Sequence, residues 1–272
     1  MAKNNFDRYS EFAEAVQKRK DWPRAMCFGD SWFQYPGPKA IDIQKQLPRI
    51  FKKTLFFNEG VAGRDSKAYK AGRDRVAKRL KDFQFTALLL SMGGNDIVGE
   101  EMAEFVKKKD DPQSNGTRIW GTLPQEVLDH IRLSAFEAGL NFLRDDYVEM
   151  FERRRDNQPN CEIFVHNYDY IWPNGKAFKL GPVKAGPWVK PFLDGVGLTS
   201  LPGQRVVTSW LIDQFTVLLN ELASLYPRVR VIDGRKTVLT AEEWDNEIHP
   251  KGPGFKKIAE ERWAPVLQGT LR

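Results

Sequence analysis

Ser31 follows Gly29-Asp30 at the end of a short apolar run, and His249 precedes Pro250 near the other end of the 272-residue chain. A serine hydroxyl is a weak nucleophile until a base takes its proton. A histidine, whose ordinary pKa lies near operating pH, is the natural base. A tetrahedral intermediate built on that serine would also need donors aimed at its oxyanion. The sequence offers three: the N–H of Ser31 itself, the N–H of Gly63 in the stretch Asn58 to Gly63, and the side-chain amide of Asn95 in Gly93-Gly94-Asn95-Asp96.

Each group also has an ordinary structural use. Gly-Asp-Ser is a common turn, the glycines can serve positive φ, Asn95 can be a turn residue, and a histidine before proline is often structural. His130 and His166, on an expected helix and an expected strand, read as packing or hydrogen-bonding residues. Placement argues for chemistry at the other positions. Each marked turn comes directly after an apolar segment or near the chain's end, and the groups complement one another.

The elements that must hold these turns are legible as a pattern. Arg24 to Phe28, Thr54 to Phe57, Phe85 to Leu90, Glu162 to Asn167 and Val229 to Asp233 are short apolar runs that read as strands. The run at 85–90 suits a parallel strand covered on both faces. Helical spacing covers about 5–20, 41–51, 66–82, 98–109, 124–153, 205–226 and 254–268. Strands alternating with helices imply a parallel sheet with helices on both faces. In such a sheet, ligands bind beyond the carboxyl ends of the strands, which is where the marked turns fall. Residues 172–204 are rich in Gly and Pro and carry Trp188, Phe192 and Leu198. The stretch is long for a connection and is expected to be a lid or substrate-binding insertion in one domain spanning 1–272.

These residues resemble the SGNH/GDSL hydrolases. Gly29-Asp30-Ser31 matches the family's first block, Asn58 to Gly63 its second, Gly93-Gly94-Asn95-Asp96 its third, and Asn246-Glu247-Ile248-His249 part of its last. The resemblance covers about 24–268. It implies an α/β, three-layer, flavodoxin-like fold with five parallel strands. It also implies hydrolysis of carboxylic esters, of lipids, short acyl groups or acylated sugars, through an acyl-enzyme on Ser31, with Ser31, Gly63 and Asn95 as the oxyanion hole. No metal or organic cofactor is implied.

One position departs from the family pattern. The aspartate expected three residues before the histidine is Asn246. In the serine-protease template, replacing that aspartate by asparagine costs about 10⁴ in turnover through the wrong imidazole tautomer. Asp245 could supply the acid through a slightly different turn, or His249 could be oriented by Asn246 or a backbone carbonyl in a dyad. Glu247 and Asp233 are weaker sources of the carboxylate. The sequence supports Asp245 and a dyad equally.

Composition bounds the class. Hydrophobic residues make up 41% and charged residues 29%, values of a globular chain with a sizeable core. No apolar run approaches the roughly 20 residues that span a bilayer. The N-terminal stretch lacks the apolar segment of a secretory signal, so a cytoplasmic protein is expected, with leaderless export left open. The net charge of +6 is dispersed among acids, and no nucleic-acid partner is expected. Cys27 and Cys161 sit in apolar runs and read as buried thiols rather than a disulfide or a zinc site. Trp32, Phe33 and Tyr35, just after Ser31, read equally as an acyl pocket or as core. Two other functions are compatible with the pattern: a non-catalytic binding protein of the same fold, and an acyltransferase.

Overall fold

The computed structural model describes residues 3–36, 42–64 and 66–271. Eight strands are present among them: β1 Asn5–Phe6, β2 Arg24–Gly29, β3 Leu55–Gly60, β4 Ala87–Ser91, β5 Glu162–His166, β6 Phe178–Leu180, β7 Val183–Ala185 and β8 Val229–Ile232. Six of them form one parallel sheet in the order β1-β3-β2-β4-β5-β8. The core strands are continuous apolar runs because both faces are covered. In β4 every residue is buried, as are Ala25 to Gly29 of β2.

The chain moves outward from β2 to β3, then reverses across β2 to β4 and continues to β5 and β8. Parallel crossovers are right-handed, so this reversal puts the helices on opposite faces. Helix α1 (Tyr9–Lys18) packs on β1 and β3, and α2 (Ile43–Ile50) follows β2. Helix α3 (Ser66–Asp82) connects β3 to β4 on the other face. There it packs against a later 25-residue helix, Leu133–Asn157, which in turn packs against Leu201–Leu225. The C-terminal helices, Gly252–Ile258 and Ala264–Leu267 joined by a π turn, return to α2. The crevice at the reversal lies beyond the ends of β2 and β4, which is where an open α/β sheet binds ligands.

The strand count differs from the expected five. Asn5–Phe6, assigned from spacing to the first helix, instead pairs with Phe56 and Phe57 as an edge strand. Phe6 and Phe12 still pack together, edge to face, so the apolar spacing is used across a strand and a helix. The helix expected over 124–153 is broken into Gln125–His130 and Leu133–Asn157. At the break, Ile131 bridges Val106, Arg132 donates to the carbonyl of Phe105, and Lys107 donates to that of His130. Those backbone groups satisfy one another and leave the helical ladder. Residues 98–109 hold only short turns of helix at Gly99–Glu101 and Met102–Phe105. Asp42 caps α2 by accepting from the N–H of Lys45; the expected start at Ile41 lies outside the described residues.

The segment 172–204 is structured. It contains the antiparallel hairpin β6–β7 and a helix at Lys190–Gly195. Among the described residues, no helix is long and apolar enough to cross a membrane. Cys27 and Cys161 are buried free thiols.

Candidate active site

Strand β2 ends at Gly29, opposite Ser91 of β4. A Cβ at Gly29 would stand 2.0 Å from the Ser91 carbonyl oxygen, so only glycine lets the two strand ends close here. The N–H of Asp30 then donates to that carbonyl at 2.9 Å. The Asp30 carboxylate turns inward and is buried, accepting from the N–H of Trp32 at 3.0 Å, from Ser91 Oγ at 2.7 Å and from the Tyr168 hydroxyl. Burial lifts its pKa to about 6, against these bonds, which pull it down. His166 Nε2 meets Ser91 Oγ at 2.8 Å. This buried network fixes the turn from below and leaves Ser31 as the next residue at its top.

Ser31 Oγ lies 2.7 Å from His249 Nε2, across 218 residues of sequence. His249 is carried on a loop closed by an antiparallel bridge between Trp244 and Pro250. The indole N–H of Trp32 donates to the Ile248 carbonyl at 3.1 Å, tying that loop to the serine turn.

The imidazole's other nitrogen, Nδ1, lies 3.0 Å from Asn246 Oδ1. The same oxygen accepts the backbone N–H groups of Ile248 at 3.1 Å and His249 at 3.0 Å. Two backbone donors cannot face an NH₂ group, so they fix the amide with its oxygen toward the ring. An oxygen there can only accept, so Nδ1 carries the proton and Nε2 presents its lone pair to Ser31. Burial holds the imidazole neutral, with its pKa pushed down to about 3. Tyr35 and Trp188 pack on the ring, at 4.5 and 5.9 Å between centroids.

The three acids considered from sequence all point elsewhere. Asp245 accepts from the Tyr35 hydroxyl at 2.5 Å, and Asn246 occupies its expected place on the imidazole. Glu247 is buried and accepts four backbone N–H groups of the segment 172–204, from Gly175, Trp188, Val189 and Lys190. Asp233 pairs with Arg235 and with the Asn167 amide, which holds its carboxyl down at about 2 despite partial burial.

Of the expected oxyanion donors, Asn95 lines the same pocket as Ser31. One of its amide hydrogens goes to the Arg64 carbonyl at 2.9 Å, which leaves the second for a ligand. That bond joins the loop after β4 to the loop after β3. Gly63 adopts φ +72° and is exposed; it is not among the residues lining the pocket. Asn58 is engaged inside its own loop, with Asp7, Gln34 and the N–H of Gly60. The pocket wall is apolar, formed by Trp32, Ile97, Val98, Ile171, Ile212 and Ile248. Its internal void is about 20 Å³, room for one water-sized group.

Trp32 therefore lines the pocket, while Phe33 packs in the core against Trp263 and His166. Tyr35 is the residue sequence reasoning placed least well. Its bonds to Asn246 and Asp245 depend on how the loop at 244–250 lies on the serine turn, and no local pattern encodes that.

No family model and no curated protein matches this chain. Solved structures do. A lipase from a goat rumen metagenome superposes with a TM-score of 0.58 at 15% identity, over 92% of this chain and 99% of that one. An extracellular lipase from Streptomyces rimosus gives 0.54 at 13% identity, over 91% of this chain and 99% of that one. At these identities the likeness is one of fold: the chain has the three-layer α/β fold that its resemblance to the SGNH/GDSL hydrolases implies.

Proposed function

We propose that this chain is a serine hydrolase of short-chain carboxylic esters, with Ser31 as nucleophile and His249 as general base. The observation that carries the reading is the 2.7 Å contact between Ser31 Oγ and His249 Nε2, with the tautomer fixed from behind by Asn246. Ser31 Oγ attacks the ester carbonyl while its proton passes to Nε2. The tetrahedral oxyanion takes the second amide hydrogen of Asn95 and the N–H of Ser31. The imidazolium returns the proton to the leaving alcohol, and water repeats the sequence on the acyl-enzyme.

The fold shared with two lipases supports an ester as substrate. The small apolar void beside Ser31, about 20 Å³, favours a short acyl group. On p-nitrophenyl esters, turnover of the acetate should exceed that of the octanoate by about tenfold or more, and Ser31→Ala should abolish both. Acetate released into water would identify hydrolysis. Absence of turnover on every ester tried would overturn the activity; preference for octanoate would overturn the short-acyl assignment alone.

A further inference from the structure

The hydrogen bonds behind His249 continue past Asn246. Its amide nitrogen donates to the Tyr35 hydroxyl oxygen at 2.9 Å, and that hydroxyl donates to Asp245 Oδ2 at 2.5 Å. Every bond in the line points the same way. Ser31 donates to His249, His249 to Asn246, Asn246 to Tyr35, and Tyr35 to a carboxylate. Among the described residues, the side chains that hydrogen-bond to the imidazole or stack on it are Ser31, Asn246, Tyr35 and Trp188, none of them charged.

We propose that Tyr35 and Asp245 are positioning residues that bring a carboxylate's charge to bear on His249 through the Asn246 amide. The proposal rests on the reading of Ser31 and His249 as nucleophile and base. In that reaction the imidazole becomes a cation, and a buried cation is costly without a compensating charge. An aligned line of hydrogen bonds polarises cooperatively, by roughly 10–30% per bond. Asn246 thus presents a more negative oxygen to Nδ1–H than an isolated amide would. No proton need leave Asn246 or Tyr35. Burial and the neighbouring carboxylate hold the Tyr35 phenol well above its ordinary pKa, which keeps it a donor. The line places the family's acid one position earlier in sequence and two hydrogen bonds further from the ring.

Two substitutions test the line without emptying the core. Tyr35→Phe keeps the ring on His249 and removes the hydroxyl, and Asp245→Asn keeps an acceptor for Tyr35 and removes the charge. Each should lower kcat on p-nitrophenyl acetate about tenfold with KM within about twofold, and Asp245→Glu should recover part of the loss. Adding Asp245→Asn to Tyr35→Phe should change nothing more, because the charge is already disconnected. In proton NMR, the His249 Nδ1–H resonance should move upfield in both single variants. An unmoved resonance in Asp245→Asn, or two kinetic losses that multiply independently, would overturn the line. In a protein without ester turnover, which would overturn the function instead, the resonance alone decides.

Discussion

At Asn246 one amide oxygen takes three donors, two from backbone and one from the imidazole. This answers the difficulty that the sequence raises. An asparagine beside a catalytic histidine is harmful when its NH₂ turns to the ring and selects the wrong tautomer; here the backbone holds the oxygen in place. That Ser31, His249 and Asn95 belong to one candidate site was legible in the sequence, because each sits in a short turn with a recognisable pattern. Tyr35 and Asp245 were not legible as partners, since only the folded loop brings them together across 210 residues. The titrating groups of the site also set a pH dependence. His249 and His166 are both held neutral by burial, with pKa values near 3 against 6.5 in the unfolded chain. Each contributes stability that is present above pH 6.5 and lost as pH falls toward 3. Asp30 acts in the opposite sense: raised from 3.8 to about 6, it contributes stability present below 3.8 and lost as pH rises through 6. On acidification below pH 6.5 each of these histidines lowers stability by one proton's linkage, about 1 kcal/mol per pH unit. His249→Gln should remove one of these contributions, giving an acid limb of the urea-unfolding profile shallower than wild type by that amount. Parallel profiles would show that His249 already binds its proton in the folded state.

The elements near the site differ in how they are held. The serine turn rests on close strand contact, and the need for Gly29 follows from the 2.0 Å approach to the Ser91 carbonyl. One side chain gathers much of the segment 172–204. Glu247 gathers four of its backbone N–H groups, and Trp172 donates to the Glu247 carbonyl, so the segment is anchored to the loop that carries His249. Trp188, within that segment, lies against the imidazole. Glu247→Ala leaves these donors without their acceptor and should cost about 3 kcal/mol or more in stability. Limited trypsin digestion should then cut sooner at Lys176, Lys179 and Lys184. Digestion at the wild-type rate would mean that the hairpin and the Lys190–Gly195 helix hold themselves. The core strands were legible because continuous apolar runs bounded by turns have few other uses in a parallel sheet. The helix break at Ile131 was not, because its cause is pairing with residues 105–107, and apolar spacing runs through it unbroken.

For the whole molecule, the order of strands explains why these groups meet. The chain reverses direction after β3, and right-handed crossovers then leave a crevice beyond the ends of β2 and β4. Ser31 follows β2, Asn95 follows β4, and the Arg64 carbonyl that holds Asn95 follows β3. His249 arrives from the loop after β8, at the far edge of the sheet, and Trp32 fastens that loop over the crevice. Alternation of strand and helix in the sequence was enough to anticipate the three layers. The sixth strand was missed because a two-residue edge strand has too little pattern to separate it from the helix that follows.

Covalent labelling tests the central claim most directly. Folded wild-type protein treated with a fluorophosphonate should gain one adduct, mapped by peptide mass spectrometry to Ser31. Ser31→Ala should gain none, and His249→Gln should label far more slowly. A folded wild-type protein that stays unlabelled, or one labelled at another residue, would contradict the assignment of Ser31 as a nucleophile activated by His249.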